Sequence, residues 1–416
     1  MKILWLSHQL PYPPKGGGYQ RSFNMIKEVG KKHDVDFISL AAKSALTDSF
    51  GDVKVGIDMA SKEIGKYVNI VSISIIGSVN RTENAKFLAL KSIFSRKTYD
   101  ENYYSSEEFS IALKNKLSEV KYDLIYVDTI GLMPLLGKIN SPVILNHHNI
   151  ESLMLERRRL KESNIFKKIV FYIESRKMKQ LEREYIGSVN ANITCSELDE
   201  SRLNNILNCT TYCIPNGVDT SYFRRRTEYK PKTAKGLIFI GGLGWYPNAD
   251  AMKYFATSIY PEIKKEFGDI VIDIIGRGNL SELDALASRD TNFRVHGFVD
   301  DILAPMENAE AYICPIRDGG GTKLKVLDAL AMGIPLIAHP IACEGIDVEN
   351  GKNVLFAKTP KQYCEQLAKL KSSSELAERL SREGQILINK KYSYHIIGEN
   401  INSLFKKIFN EASRAR

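Results

Sequence analysis

Short apolar runs alternate along this chain with longer segments whose apolar residues recur at helical spacing. That rhythm is the mark of β-α-β units feeding a parallel sheet. In the first half the runs fall at residues 2–7, 35–40, 124–127, 143–146, 192–195 and 211–214. In the second they fall at 237–241, 270–275, 293–296, 311–315, 335–338 and 354–356. The pattern predicts about six strands per half and two Rossmann-like, doubly wound α/β domains. Residues 219–235 (DTSYFRRRTEYKPKTAK) are polar, charged and without periodicity, and read as the linker. The expected division is an N-terminal domain 1–218, a linker 219–235, a C-terminal domain 236–392 and a terminal helix 393–416. That helix packs on the second half or crosses back to the first. Ligands of such folds sit at the carboxyl ends of the strands, so each domain is expected to hold one substrate at a cleft that closes around both.

The most informative element is PIRDGGGTKLKVLDALAMGIP, residues 315–335. It reads as strand, glycine loop and helix, opened by Thr322 and closed by Gly333 with Pro335 behind. Backbone N–H groups at a helix start suit an anion. Lys325 and Asp328, at i and i+3, share a face. A cation for phosphate beside a carboxylate for sugar hydroxyls suggests a nucleotide-sugar site. The plainer alternative is a loop feeding a core helix through Leu324, Leu327 and Ala331.

Composition narrows the classes. The 416 residues, 44% hydrophobic and 26% charged, are those of a globular chain of two or three domains. The apolar run at residues 3–6 is too short for a signal peptide, and no window approaches a membrane span. The six cysteines are scattered without a C-x-x-C pair, so reduced thiols and a cytoplasmic location are expected. The net charge of +9 is uneven: residues 153–185 hold ten Lys or Arg against five Glu, with Ile165, Phe166, Ile169, Val170, Phe171 and Ile173 among them. Such a segment either turns its apolar side to the core or lies on an anionic membrane surface, which would make the protein peripheral to the inner face. No zinc-finger, RNP-type or helix-turn-helix signature points to nucleic acid.

Other motifs follow strands. PPKGGGYQR (13–21) brings glycines and Arg21 after the first strand, without G-x-G-x-x-G spacing. NHHNIE (146–151) pairs two histidines, which on extended backbone point opposite ways and cannot easily share a metal. IPNGVD (214–219) turns into the linker, and FIGGLGWYPNAD (239–250) is a second strand–glycine–helix unit. IGRG (275–278) and VHGFVDDI (295–302) complete the set, with Asp300 and Asp301 read as helix caps rather than a metal pair.

In this order, over nearly the whole chain, the motifs resemble the retaining family 4 glycosyltransferases of GT-B fold, and within them a bacterial surface-polysaccharide subgroup. The resemblance implies that the N-terminal domain binds the acceptor and the C-terminal domain the nucleotide-sugar donor. It carries a catalytic role to His148 and Lys325. Donor contacts go to Gly241, Gly242, Arg277, Phe298, Val299, Arg317, Gly320, Gly321, Thr322, Lys325 and Asp328, with Lys325 as the main cation for the diphosphate and Arg277, Arg317 and Lys323 in reserve. Gly17, Gly18, Arg21 and Asn149 go to the acceptor side. No protein nucleophile is needed if the departing phosphate takes the acceptor proton, and no cofactor or metal is expected, because no Asp-x-Asp metal site of the kind used by the other glycosyltransferase fold is recognised. The partners implied are a nucleotide-diphosphate sugar and a saccharide or lipid-linked acceptor. The chain departs from the family where two glutamates eight positions apart are usual, carrying Gly320 and Asp328 instead, and it lacks the Arg and Lys common after the first donor-domain strand. A GT-B sugar-nucleotide epimerase and a non-catalytic basic binding protein are the competing readings.

Overall fold

The computed structural model describes residues 1–414 except 79–80, 207–208, 226–228, 232–233 and 320, and omits in addition the side chains of 81–87 and 206. The chain divides into two compact units, one of residues 1–215 and 397–416, the other of residues 216–396.

In the first unit β1 (Lys2–Ser7), β2 (Asp34–Ala42), β3 (Asn69–Ile76), β4 (Leu124–Val127), β5 (Val143–His147), β6 (Ala191–Thr194) and β7 (Thr211–Cys213) form a sheet of order β3-β2-β1-β4-β5-β6-β7. Every pairing is parallel. Helices cover both faces of such a sheet, which is why β1 reads KILWLS and Ile3, Leu4, Trp5 and Leu6 are all buried. β3 escapes the sequence pattern. It lies at the sheet edge, alternates Ser with Ile and is only half-buried over most of its length. It therefore lacks the continuous apolar run of a central strand.

The second unit repeats the design. β8 (Leu237–Ile240), β9 (Ile272–Ile275), β10 (Phe293–Gly297), β11 (Ala311–Cys314), β12 (Leu336–Ala338) and β13 (Leu355–Phe356) run parallel in the order β10-β9-β8-β11-β12-β13. In both sheets the strand order reverses beside the first strand, between β1 and β4 and between β8 and β11. The loops after those strands are the ones at which ligands of doubly wound folds bind.

One expectation changes and one alternative is resolved. Residues 219–235 are not a free linker: Phe223 and Tyr229 are buried in the core of the second unit. Tyr229 Oη donates to the Glu310 carbonyl (2.9 Å), and Arg225 donates to the Glu307 carbonyl beneath the Tyr229 ring. Aromatic anchors spaced too irregularly to show a period hold this segment down. The helix Tyr394–Arg414 returns to the first unit from Ile397 onward. Its stripe of Ile397, Ile401, Phe405 and Ile408 is buried, and Phe405 reaches Tyr126, which stacks on Trp5. Gly398 lets that helix close on Glu28, where a Cβ would collide with the glutamate side chain.

Candidate functional site

In the second unit the glycine loop after β11 is shorter of helix than expected. The helix starts at Leu324, not Thr322, and runs Leu324–Ala331 before Gly333 (φ +61°) ends it. Gly319 (φ +101°) and Gly321 (φ +73°) adopt backbone open to glycine alone. Lys323 Nζ donates to the carbonyls of Gly319 (2.7 Å) and Gly321 (2.8 Å). The lysine held in reserve for phosphate is thus a staple of the loop. Gly320 lies outside the described residues.

Lys325 reaches across to the loop after β8. Its ammonium donates to Asn248 Oδ1 and lies 5.0 Å from the Phe239 ring centroid and 5.6 Å from that of Trp245. Asn248 Nδ2 in turn donates to the Gly242 carbonyl (2.8 Å). A Cβ on Gly241 would come within 2.8 Å of both Lys325 Nζ and Asn248 Nδ2, so the glycine makes room for the ammonium. The helix after β11 thus brings an ammonium to the loop after β8, which carries no cation of its own before Lys253. Asn248, in the helix Tyr246–Tyr254, was given no role by sequence reasoning, although its PNADA motif was visible.

Burial pushes the Lys325 ammonium down to about 8 and the Asp328 carboxyl up to about 8. Asp328 Oδ1 and Thr322 Oγ1 are shut off from solvent and have no hydrogen-bond partner among the described residues. Buried polar atoms are normally paired, so these two mark a place for ligand hydroxyls or phosphate oxygens. The remaining residues named for the donor divide. Arg277 lies over the Phe298 ring (4.4 Å), which is itself exposed, and its carbonyl accepts from Leu243 N. Val299 packs against the core. Arg317, a reserve cation in the sequence reading, is engaged by Asp250 (3.1 Å), and its guanidinium lies over the Tyr254 ring (3.8 Å).

The first unit gathers a different chemistry at its strand ends. His8 follows β1, Asp128 follows β4 and His148 follows β5. Asp128 is buried, and its Oδ2 receives His8 Nδ1 (3.0 Å), Ser22 Oγ (3.1 Å) and Ser7 Oγ (3.4 Å). Its Oδ1 receives His148 Nε2 (3.1 Å) and Asn146 Nδ2 (3.4 Å). The two imidazoles hold the carboxyl well below the usual range despite its burial. An ionised carboxylate only accepts, so both ring nitrogens facing it carry protons. On the neutral His148 ring, Nδ1 then remains as an acceptor. Burial outweighs the carboxylate and lowers His148, favouring the neutral ring. The ligand-type atoms of His8, Asp128 and His148 lie within 4.8 Å of one another, a set that residue spacing conceals. The distances to the carboxylate are those of hydrogen bonds, and its lone pairs are already taken.

His147 turns the other way, to Asn192 Oδ1 (3.0 Å), and burial lowers it to about 4, so it is a neutral structural residue. Arg21 is corrected from the acceptor side to the core. It is buried and donates to the Pro215 carbonyl (3.0 Å) and to Asn146 Oδ1 (3.1 Å). One side chain thus ties together the glycine-loop, histidine and Pro-Asn-Gly motifs. Gly17 and Gly18 open the helix Gly17–Gly30, and a Cβ on Gly18 would stand 3.0 Å from Gln9 Nε2. Asn149 is bonded to the side chain of Glu151, whose carboxyl burial raises to about 8.

Comparison with known proteins places this geometry. Residues 234–373 match the family described as glycosyl transferases group 1. Over 99% of both chains the protein is 22% identical to an uncharacterized 44.6 kDa protein in the cps region of Klebsiella pneumoniae. Among solved structures, sucrose-phosphate synthase from Thermosynechococcus elongatus superposes with a TM-score of 0.69 at 12% identity, over 99% of this chain and 100% of that one. HepE of Anabaena, solved in complex with UDP-glucose, gives 0.59 at 14% identity over 98% and 100%. The two parallel α/β domains share the GT-B fold of these structures.

Proposed function

We propose that this protein, whose residues 234–373 are a group 1 glycosyl transferase domain, moves a sugar from a nucleotide-diphosphate sugar to a hydroxyl of a saccharide or lipid-linked acceptor, with retention at the anomeric carbon. The observation that carries the reading is the seat of Lys325: an ammonium held against Gly241 by Asn248, on the same short helix as the unpartnered Asp328 Oδ1. The bond from the anomeric carbon to phosphate breaks as the bond to the acceptor oxygen forms, and the acceptor proton passes to the departing phosphate. Lys325 and loop N–H groups stabilise the charge growing on that phosphate. Thr322 and Asp328 take hydroxyls of the nucleotide sugar. On the first unit, His148 and its carboxylate partner supply a ring nitrogen to a sugar hydroxyl. The complex of HepE with UDP-glucose supports a donor of this class, and the relative from the cps region supports a role in surface polysaccharide assembly.

The test is a panel of nucleotide diphosphates in a thermal-shift assay, followed by turnover with the one that binds. One nucleotide diphosphate is expected to raise the melting temperature of the native protein. Lys325→Ala is expected to fold, to lose most of that rise, and to lower kcat by ~10²-fold, the scale of a lost oxyanion donor. A folded Lys325→Ala protein with unchanged kcat removes the lysine from the mechanism. An inverted anomer in the product, read by NMR, removes retention.

A further inference from the structure

The helices Glu151–Lys161 and Ile165–Tyr185 form an antiparallel hairpin joined by three residues. Its root is fixed: near the start of the first helix, Ser152 N and Oγ donate to the Glu182 carboxylate near the end of the second. Farther along, Glu174 accepts from Tyr99 N (2.7 Å). The buried residues of the second helix are Glu174, Ser175, Met178, Leu181 and Glu182, all in its C-terminal part. The first nine residues, IFKKIVFYI, hold seven apolar side chains and bury none. At ~1.5 Å per residue they extend roughly 13 Å. A helix apolar on most of its circumference is normally buried. Here Ile165 is 68% exposed, Phe166 75% and Ile169 52%, and Leu160 across the turn is 66% exposed. The charge concentrates at the same end. Residues 157–168 contain six Lys or Arg and one Glu, a surplus of +5, which equals the surplus of all of residues 153–185.

We propose that this hairpin tip docks on an anionic lipid surface, with Leu160, Ile165, Phe166 and Ile169 entering the headgroup region and Arg157, Arg158, Lys161 and Lys167 meeting lipid charge. Two features select this occupant. A second copy of the chain would bring +5 against +5. A nucleic acid would pair with the charge but leave the large apolar side chains uncovered. A bilayer with acidic headgroups satisfies both at once. The surface goes beyond the proposed transfer reaction, in which it would bring the enzyme to a lipid-linked acceptor, and its test does not depend on turnover.

The experiment is sedimentation of the full chain with phosphatidylcholine vesicles, with and without one third phosphatidylglycerol. Binding is expected to the mixed vesicles, to weaken as salt rises, and to be absent on phosphatidylcholine alone. A Phe166→Ser, Ile169→Ser double variant is expected to bind at least tenfold more weakly. Arg157→Gln and Arg158→Gln are each expected to weaken binding roughly fivefold at low salt. All of these positions are at the surface, so the variants are expected to keep the native melting temperature and its response to nucleotide diphosphate. Absence of wild-type binding to mixed vesicles, or equal binding by the double variant, overturns the proposal. A concentration-dependent dimer that the double variant abolishes, without vesicle binding, assigns the tip to a second copy instead. Loss of the nucleotide response alone would count against the transfer reading and leave this one standing.

Discussion

At Lys325, burial and the proposed role pull in opposite directions. An ammonium in a partly dry pocket is pushed toward neutrality, to about 8, yet a phosphate needs it charged. Its proton is present below that value and lost above it. The kcat/KM for the donor, which reports the free enzyme, is therefore expected to fall as pH rises past about 8. Asp328 titrates in the same range, so two variants separate them. The falling limb is expected to persist in Asp328→Asn and to disappear in Lys325→Arg, whose guanidinium keeps its proton. Persistence of the limb in both assigns it elsewhere. The second residue-scale question concerns His8, Asp128 and His148. With the carboxylate saturated by hydrogen bonds, EDTA is expected to leave turnover unchanged. Activity lost to EDTA and restored by a divalent cation would make this cluster a metal centre. The residues legible in the sequence here were those beside a glycine loop or in a doublet. Asp128 and Asn248 were not, because each matters only through a partner at least 20 residues away in the chain.

Among the elements, strands and their order along the chain were the most legible. β1, β4 and β5 are buried on both faces, and a run of apolar residues is the direct consequence. β3 was lost because an edge position relaxes that demand. The segment 219–235 departs from a linker for a related reason. Its anchors, Phe223 and Tyr229, are two rings in a charged stretch, and their burial depends on the surface that the second unit offers them. The terminal helix shows the reverse case: its periodic stripe was plain in the sequence, but not which unit it would cover. Phe405→Ala removes a wholly buried ring beside Tyr126. It is expected to cost about 3–5 kcal/mol in denaturant unfolding of the first unit. A loss below ~1 kcal/mol would mean that the helix contributes little to that core.

For the molecule as a whole, two units with separate cores imply two unfolding transitions in calorimetry. A bound nucleotide diphosphate is expected to raise one of them, that of the unit carrying Lys325. Deleting residues 397–416 is expected to lower the other and leave the nucleotide response in place. A deletion that lowers the nucleotide-responsive transition instead would reverse the assignment of the helix. By itself, the sequence determined the two doubly wound α/β domains and the glycine loops after their strands, because periodicity and glycine are local consequences of burial and backbone geometry. It also placed Lys325 and Asp328 on one face. The tertiary structure alone decided that Lys325 lies against the loop after β8, that Arg21 is a core tie, and that Asp128 binds His8 and His148. In each case sheet order brings together loops far apart in the chain, and sheet order follows from how the layers pack.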